Sequence, residues 1–599
     1  MAGMFDSHSS APTVSLGGPL VPPLSSKVWR IVVEAQRNLP AMCQVEFYDD
    51  DPAAPVLDNP LLRPGTPLTV DAAPASEDPT TRSLGPVFDG EVVAVEADFP
   101  REGGTRVVVR GYDKAHRLHR TRKTRTFLQP ENIVVSQIAS ENGLVPRVDP
   151  APSFPDPSSP TEPFYLCQRN QTDWEFLSER AREIGFEIAV SMGALVFRKA
   201  GPDPLAGVPQ RLARGENLLT FRPRVSAAEQ PMMTTVHAFH PGLKTPVLGL
   251  APPPVPENTP GDPTLLPHTV AAMFGSTEEV ETDTPFGLPP AAILHAMARR
   301  EHAAGVAFEA QGTCIGNPAL KPGGTALIQN VGLRFSGTYT ISTVRHVFDE
   351  EGFVTHFTIS GRHDRSLLGL TQPGAATRAN GTSPGGALLG AVVGKVDNNM
   401  DMMQMGRVKV SFPSMGSDAV SAWAPVVSVG AGSGKGWQVI PEVGDEVLVV
   451  FEHGDVRRPY VLGGLYNAQD LMPQPVGAVL GDGKTQIRAF KTRAGHMLTF
   501  NDMPGLESIS LETHLGSKLV IQEGPVPSIQ LADKTGQNQI TIDGATGSIS
   551  IKALSTMTLE ALGSLELKAQ GALTLEAGAA MNVKASGVMN IQGSMVKIN

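Results

Sequence analysis

Residues 548–593 read SISIKALSTMTLEALGSLELKAQGALTLEAGAAMNVKASGVMNIQG, and this stretch decides the fold of the C-terminal region. Two apolar residues separated by one polar residue recur in it every eight positions. Such alternation is typical of a β-strand, and a short fixed period is typical of a solenoid whose repeats pack on their neighbours. We expect the apolar side chains to form the core of the repeat: Ile549, Ile551, Met557, Leu559, Leu565, Leu567, Leu573, Leu575, Met581, Val583, Met589 and Ile591.

Eight residues are too few for one chain to complete a multi-sided turn with strands of ordinary length. Three intertwined chains solve this problem, because each octad then forms one face of a triangular prism and covers the strand edges of the others. The sequence therefore predicts a homotrimer with a C-terminal triple-stranded β-helix. Small residues follow the apolar pairs, as tight corners require: Ala553, Ala561, Ala569, Ala577, Ala585 and Gly593.

Charged residues alternate in sign at the same octad spacing. In an intertwined prism, consecutive octads from different chains become neighbouring strands, so opposite charges would pair between chains. Each pair contributes about 0.2–1 kcal/mol, which is enough to favour one register but not to hold the trimer together. The predicted inter-chain ladder comprises Lys552, Glu560, Lys568, Glu576 and Lys584.

The repeat is wider upstream and loses its phase at its far end. From Leu498 to Ile549 the apolar pairs recur every nine to eleven residues, so the predicted β-helix extends over residues 486–599. Beyond Ile591 the next pair should fall on positions 597 and 599, which are polar. A solenoid end with open strand edges needs a cap. We expect a separate tip protein to dock on Met595, Val596, Lys597, Ile598 and Asn599.

Composition limits the classes of fold and function. The 599 residues are too many for one core, and 61 glycines with 52 prolines favour short strands, so we expect a multi-domain, mainly β chain. The net charge of −11 disfavours nucleic-acid binding. The three cysteines are isolated, so neither a disulfide scaffold, a metal site nor a cofactor is expected. No signal peptide or membrane-spanning run is evident.

Composition shifts and strand patterns divide the chain into segments. Between Thr172 and Gly185 a capping box and an apolar stripe predict a helix, and residues 186–199 predict a β-hairpin. The predicted segments are a flexible arm over 1–26, a large β-rich unit with a few helices over 27–370, a linker over 371–388, a small β-barrel over 389–468, a neck over 469–485 and the β-helix over 486–599.

Two sets of motifs resemble the VgrG and phage baseplate-hub spike proteins of contractile injection systems. GRVKVSFP (Gly406–Pro413) and WAPVVSVGAGSGKGWQVIPEVGDEVLVVFEHGDVRRPYVLGGLYN (Trp423–Asn467) are similar to the OB-fold base of these spikes. VVVRGYDKAHRLHRTRKTRTF (Val107–Phe127) and the helix-hairpin from Tyr165 resemble their hub domains. The resemblance implies a hub of β-barrel-like domains over residues 27–370, followed by an OB-fold and a needle.

The resemblance also implies a function and partners. The implied function is that of a non-enzymatic trimeric hub with a needle that meets the target membrane mechanically. The implied partners are a hexameric inner tube, baseplate proteins and a PAAR-type protein at the needle tip. Such a particle assembles in the bacterial cytoplasm and can be released whole. Two alternatives stay open: the tail hub of a contractile prophage, and a trimeric adhesin or glycan-binding fibre.

Some residues suggest other chemistry. Residues 114–125 hold six Lys or Arg together with His116 and His119, but we expect a structural surface there rather than a nucleic-acid patch or metal site. His237 and His240 likewise lack further ligands nearby. The barrel segment has six Lys or Arg against eight Asp or Glu, which disfavours oligonucleotide binding. Trp423 and Trp437 are expected in a barrel core or a domain seam: both belong to the OB motif.

Overall fold

A computed structural model gives the architecture of the chain. It describes residues 12–19, 22–37, 39–49, 55–75, 83–101, 104–156, 164–204, 206–226, 230–240, 242–252, 254, 256–275, 277–361, 390–416 and 418–598. Two compact units are present, Met1–Leu465 and Tyr466–Asn599. Within the described ranges, no helix combines the length and the apolar character needed to cross a membrane. The predicted linker over 371–388 lies outside the described residues.

The first unit begins with a region dominated by strands, which confirms the predicted mainly β class. Its helices are α1 Pro22–Ser25, α2 Glu131–Glu141, α3 Asp173–Glu183, α4 Pro267–Ala272 and α5 Pro289–Gly305, with 3-10 turns at Val56–Asp58, Lys114–His119 and Pro263–Leu265. Its strands are β1 Thr13–Leu16, β2 Val28–Gln36, β3 Leu39–Asp49, β4 Pro67–Ala72, β5 Gly85–Asp98, β6 Thr105–Tyr112, β7 Arg122–Phe127, β8 Val145–Val148, β9 Leu166–Thr172, β10 Phe186–Ser191, β11 Ala194–Lys199, β12 Gln210–Ala213, β13 Leu218–Val225, β14 Met233–His240, β15 Thr245–Leu250, β16 Thr259–Pro260, β17 Glu278–Glu281, β18 Phe308–Ile315, β19 Thr325–Gln329, β20 Gly337–Thr340, β21 Thr343–Asp349 and β22 Gly352–Ile359.

A ten-stranded sheet forms the framework of this region, in the order β1-β4-β5-β6-β3-β2-β21-β22-β18-β13. Strand β1 pairs antiparallel with β4, and its Val14 and Leu16 are buried in the core of the sheet. The prediction of a flexible arm over residues 1–26 is therefore wrong for residues 13–16. The alternation that places these two side chains inside covers only four residues, too short a signal to stand out beside the neighbouring glycines and prolines.

The predicted helix and hairpin are both confirmed. Helix α3 is capped by Thr172, whose hydroxyl accepts a hydrogen bond from the Glu175 backbone N–H while the Glu175 carboxylate accepts one from that of Thr172. Strands β10 and β11 pair antiparallel, and Met192 and Gly193 adopt positive φ in the turn between them. Helices α2 and α3 and this hairpin share one apolar core.

The β-barrel segment follows within the first unit. Its strands are β23 Val392–Asn398, β24 Lys409–Ser411, β25 Glu446–Phe451 and β26 Pro459–Gly464, with a 3-10 turn at Glu452–Gly454. They form a sheet in the order β24-β23-β25-β26. The side chains expected from the period-two patterns, such as Val410 and Val449, lie in its core.

The second unit begins with short elements and continues as an antiparallel meander. Its elements are α6 Val476–Val479, β27 Leu480–Gly481, β28 Lys484–Thr485, β29 Ile487–Lys491, β30 Met497–Asn501, β31 Ser508–Glu512, β32 Lys518–Gln522, β33 Ser528–Ala532, β34 Gln539–Asp543 and β35 Ser548–Lys552. Strands β29 to β35 pair in sequence order.

The meander corrects part of the predicted needle. Residues 487–552, which we expected to belong to the triple-stranded β-helix, pair antiparallel within one chain. The wider repeat leaves room for reversing turns between five-residue strands. Gly516, for example, adopts φ +95° and its N–H donates to the Thr513 carbonyl at 2.9 Å. Only glycine takes such a conformation without steric cost, and the apolar pairs alone do not reveal it.

Candidate functional site

The octad segment has a regular backbone that follows the sequence repeat. Bends occur at residues 554–555, 562–563, 570–571, 578–579, 586–587 and 594, an interval of eight residues throughout. Each bend follows one of the predicted corner positions, such as Ala553 or Ala561. The period seen in the amino acids is therefore also a period of the chain path.

This segment contains no strand ladder of its own. Residues 553–598 lie outside every strand that the structure describes, and every one of them is exposed. The apolar pairs predicted to form the trimer needle core are exposed with them: Ile549, Ile551, Met557, Leu559, Leu565, Leu567, Leu573, Leu575, Met581, Val583, Met589 and Ile591. A long segment with open backbone groups and a continuous apolar stripe needs partner strands.

The meander upstream presents a second uncovered apolar surface. Its register places Leu511 opposite Leu519 and Ile521 opposite Ile529, so the apolar pairs form continuous columns on one face. These side chains are exposed, whereas residues of the opposite face such as Gln530 are partly buried. In a self-sufficient sheet the apolar face is the covered one. The meander and the octads thus both expose an apolar face that nothing in the described chain covers.

The charged residues of the predicted ladder lie along the octads. Its members Lys552, Glu560, Lys568, Glu576 and Lys584 are all exposed. One of them, Lys568, forms an ion pair within the described chain, with Glu566 at 2.6 Å. Both partners are highly exposed, so this local pair contributes little. The inter-chain pairing stays a prediction.

The predicted docking residues at the end of the repeat are accessible. Met595, Val596 and Ile598 have exposed apolar side chains, and Lys597 is also exposed. Asn599 lies outside the described residues. The bend at residue 594 precedes this group and completes the series of octad corners. An apolar end of this kind can receive another protein, which stays a prediction.

A partly buried ion network joins the barrel to helix α3 in the first unit. The Arg457 guanidinium donates to the Glu183 carboxylate at 2.8 Å and to the Asp455 carboxylate at 2.7 Å. Arg180 pairs with both Glu183 and Glu131. Burial by itself raises the pKa of the Glu183 carboxyl, but the charges of Arg180 and Arg457 outweigh it and hold that pKa well below its ordinary value. No pattern in the amino-acid sequence indicated this network.

Further contacts join the barrel to the preceding domains, at a junction that we call the seam. The Tyr165 hydroxyl donates to the Val420 carbonyl at 2.8 Å, and Arg458 Nε donates to the Pro285 carbonyl at 3.2 Å. A cleft of about 470 Å³ lies between these contacts, and aromatic side chains such as Trp423 and Tyr460 line it. The seam is therefore a polar, hydrogen-bonded junction around a cleft.

Four of the six basic side chains of segment 114–125 form ion pairs with carboxylates of the described chain. Burial lowers the pKa of His119 to about 4, and its ring stacks on Trp174 with centroids 5.1 Å apart. Ion pairs join Arg117 to Glu91, Arg122 to Glu175 at 2.8 Å, Lys123 to Asp173 at 2.7 Å and Arg125 to Glu141 at 2.7 Å. Pairing of this kind fits the structural surface expected from the sequence.

The two histidines considered as metal ligands, His237 and His240, do not form a site together. His237 is exposed on β14, whereas His240 is buried and its Nδ1 accepts a hydrogen bond from the Leu243 N–H. Over the described ranges, no group of three or more His, Cys, Asp or Glu side chains is placed to hold a metal ion. Trp423 lies at the seam as expected, but the prediction for Trp437 is wrong because its side chain is exposed.

Two protein families match this chain. Residues 10–350 match the family described as the Alg8 N-terminal domain, which covers more than half of the chain. Residues 392–466 match the type VI secretion system/phage-baseplate injector OB domain. The second match coincides with strands β23 to β26, and it confirms the OB-fold inferred from the sequence motifs.

Curated relatives match over shorter stretches. The type VI secretion system spike protein VgrG3 of Vibrio cholerae is 35% identical over 134 residues, which is 21% of this chain and 13% of the relative. VgrG4b of Pseudomonas aeruginosa is 38% identical over 97 residues, 16% of this chain and 12% of the relative. The actin cross-linking toxin VgrG1 of V. cholerae is 28% identical over 194 residues, 28% and 17% of the two chains. The matched stretches thus span less than a fifth of these relatives' length.

Solved structures show distant likeness. The E. coli c3393 protein, a type VI secretion component, gives a TM-score of 0.45 at 14% identity and covers 74% of this chain and 97% of its own. A Francisella PdpA–VgrG complex gives 0.47 at 10% identity, covering 91% and 88%. The resemblance to VgrG-type spikes is confirmed by the curated relatives and the OB domain. The chain belongs to the Alg8 N-terminal domain family and is VgrG-like in its injector OB domain.

Proposed function

We propose that this chain is one protomer of a homotrimeric structural spike and hub of a contractile injection system. The octad segment carries the proposal: residues 553–598 bend every eight residues, expose an apolar stripe and lack strand partners in the described chain. Two further copies supply those partners when the octads intertwine. The injector OB domain supports this assignment, since its family description covers both type VI systems and phage baseplates.

The energy available from intertwining is large. Complete burial of one Ile, Leu, Val or Met side chain contributes about 1.5–3 kcal/mol, so covering a half-exposed one contributes roughly 1 kcal/mol. The octad core supplies a dozen such side chains in each chain. The gain is therefore on the order of 10 kcal/mol per chain before the entropy of ordering is subtracted. Hydrophobic burial holds the prism together, and the charge ladder selects its register.

The proposed mechanism is mechanical. Closed strand edges make the prism rigid, and sheath contraction drives it into the target membrane. In this proposal the N-terminal domains contact a hexameric inner tube and baseplate proteins. A PAAR-type protein docks on Met595–Asn599, because exposed Val596 and Ile598 break the octad phase there. The particle assembles in the bacterial cytoplasm, and the spike performs no catalysis.

The oligomeric state tests the proposal directly. Native mass spectrometry of the full chain should give about three times the 63.4 kDa chain mass. A single-chain mass at micromolar concentration contradicts the spike. Imaging of particles from cells with and without this chain tests the hub role, since sheathed tubes should fail to assemble normally without it. A trimer that is dispensable for assembly and binds glycans would instead favour the adhesin alternative.

A further inference from the structure

A methionine-rich turn connects the first two strands of the OB barrel. It contains Met400, Met402, Met403 and Met405, four of the 20 methionines of the chain within six residues. None of the four belongs to the apolar core of the barrel. Packing of the barrel therefore does not account for this concentration of thioethers.

A buried ion pair holds the turn in one conformation. The Asp401 carboxylate accepts hydrogen bonds from Arg407 Nε at 2.9 Å and from Arg407 Nη2 at 2.8 Å. It also accepts from the backbone N–H groups of Met403 and Met405, each at 3.1 Å. The side chains of Asp401 and Arg407 are only 3% and 8% exposed. The turn thus wraps around a carboxylate whose acceptor positions are occupied.

The backbone of the turn is fixed at further points. The Gln404 N–H donates to the Asp401 carbonyl at 2.9 Å, and Gln404 adopts φ +53°. The Asn398 side chain accepts from the Met400 N–H at 2.8 Å, and Asn399 Nδ2 donates to the Pro441 carbonyl at 3.1 Å. The four methionines therefore project from a short loop whose ordering does not depend on a ligand.

The thioethers are accessible, and no hard ligand competes with them in the turn. Met400, Met402, Met403 and Met405 are 80%, 72%, 40% and 46% exposed. Thioether sulfur is a soft donor that selects Cu(I), whereas Mg²⁺, Ca²⁺ and Mn²⁺ require carboxylate or carbonyl oxygen. Each methionine side chain has three rotatable bonds, so sulfurs from neighbouring positions can converge on one ion.

We propose that this turn is a binding site for a soft monovalent metal ion, Cu(I) or Ag(I), held by three or four thioether sulfurs. No oxidation or bond cleavage is involved, and the ion is bound in its monovalent state. The proposal rests on the methionine turn, whose Met405 also lines the cleft beside the preceding domains, and it is independent of the proposed spike function. The alternative is that the exposed methionines bind a protein through apolar contacts. Leucine would then replace methionine with little effect, because the two side chains are nearly equal in volume.

Replacement by leucine separates these two uses, since it keeps the apolar surface and removes the sulfur. The full-length chain is titrated with Ag(I), and binding is followed by native mass spectrometry and by the methyl resonances of ¹³C-labelled methionine. We expect one ion in the turn, in addition to those held by the free thiols of Cys43, Cys167 and Cys314, and shifts at the four turn methionines. The variant Met400→Leu/Met402→Leu/Met403→Leu/Met405→Leu should lose at least tenfold in affinity.

A matched control uses four similarly exposed methionines that lie far apart in the sequence. The variant Met192→Leu/Met233→Leu/Met273→Leu/Met595→Leu should bind Ag(I) like the original chain. The conservative change Asp401→Asn should lower the affinity several-fold at the same stoichiometry, because it loosens the turn. Equal binding by the two fourfold variants overturns the proposal. So does an Ag(I) titration that leaves the turn methyl resonances unshifted, which would leave apolar docking as the use of the turn.

Discussion

Substitution of Leu567 by aspartate tests the trimeric prism at its centre. Leu567 belongs to the predicted octad core and is 59% exposed in the single chain. Covering that fraction of a leucine contributes about 1–2 kcal/mol, so three copies in one trimer contribute roughly 3–5 kcal/mol. The aspartate removes this contribution and places three carboxylates close together in a poorly solvated interior, which adds to the loss. We therefore expect the trimer dissociation constant to rise by at least about 100-fold.

The assay compares the mass distribution of the full chain over a dilution series by sedimentation velocity. Leu562 provides a matched control, because it lies at an octad bend and is fully exposed in the single chain. The Leu562→Asp variant carries the same chemical change at a corner position and should remain trimeric. Unchanged trimer stability in Leu567→Asp, or equal dissociation of both variants, refutes the assignment of Leu567 to the prism interior.

Three further predictions follow from charges. Arg457→Ala removes the cation beside Asp455 and one of the two cations beside Glu183, which keeps its ion pair with Arg180. Because both carboxylates are partly buried, the first unit should lose roughly 1–3 kcal/mol of unfolding free energy. Tryptophan fluorescence in urea measures this loss, since all four tryptophans lie in that unit, and a loss below about 0.5 kcal/mol contradicts the prediction. Glu576→Lys should weaken the trimer by about 0.2–1 kcal/mol per lost ion pair at low salt. Reversing the sign of all five ladder charges should restore the thermal stability of the trimer. If stability is not restored, the charges do not pair between chains. Burial lowers the pKa of His346 to about 3, below the value of about 6.5 in an unfolded chain. The unfolded state therefore binds one more proton, and the free energy of unfolding falls as the pH decreases from about 6.5 to 3. In a His346→Asn variant the urea midpoint should decline less steeply over this pH range, and an unchanged slope contradicts the prediction.

Several features were predictable because they are local in sequence. The capping box at Thr172 and the turn at Met192 and Gly193 depend on neighbouring residues, and both occur where expected. The octad period predicted the positions of the bends for the same reason. The OB barrel followed from contiguous motifs and is matched by a family of that description.

Other features could not be predicted from residues adjacent in sequence. Arg457 and Glu183 are 274 positions apart, and only the packing of the barrel against helix α3 joins them. The carboxylates that pair with basic residues of segment 114–125 come from β5, α2 and α3 rather than from the segment itself. The meander was missed because apolar pairs look alike in a reversing sheet and in a β-helix. Backbone conformation at the turns distinguishes the two.

By itself, the amino-acid sequence determined the mainly β class, the period of the repeat and the apolar stripe of the octads, since side-chain alternation and repeat length are properties of contiguous residues. Only the tertiary structure decided where the chain reverses, which charges are already paired and which surfaces remain uncovered. Those outcomes depend on long-range contacts between residues far apart in sequence, and no local pattern encodes them.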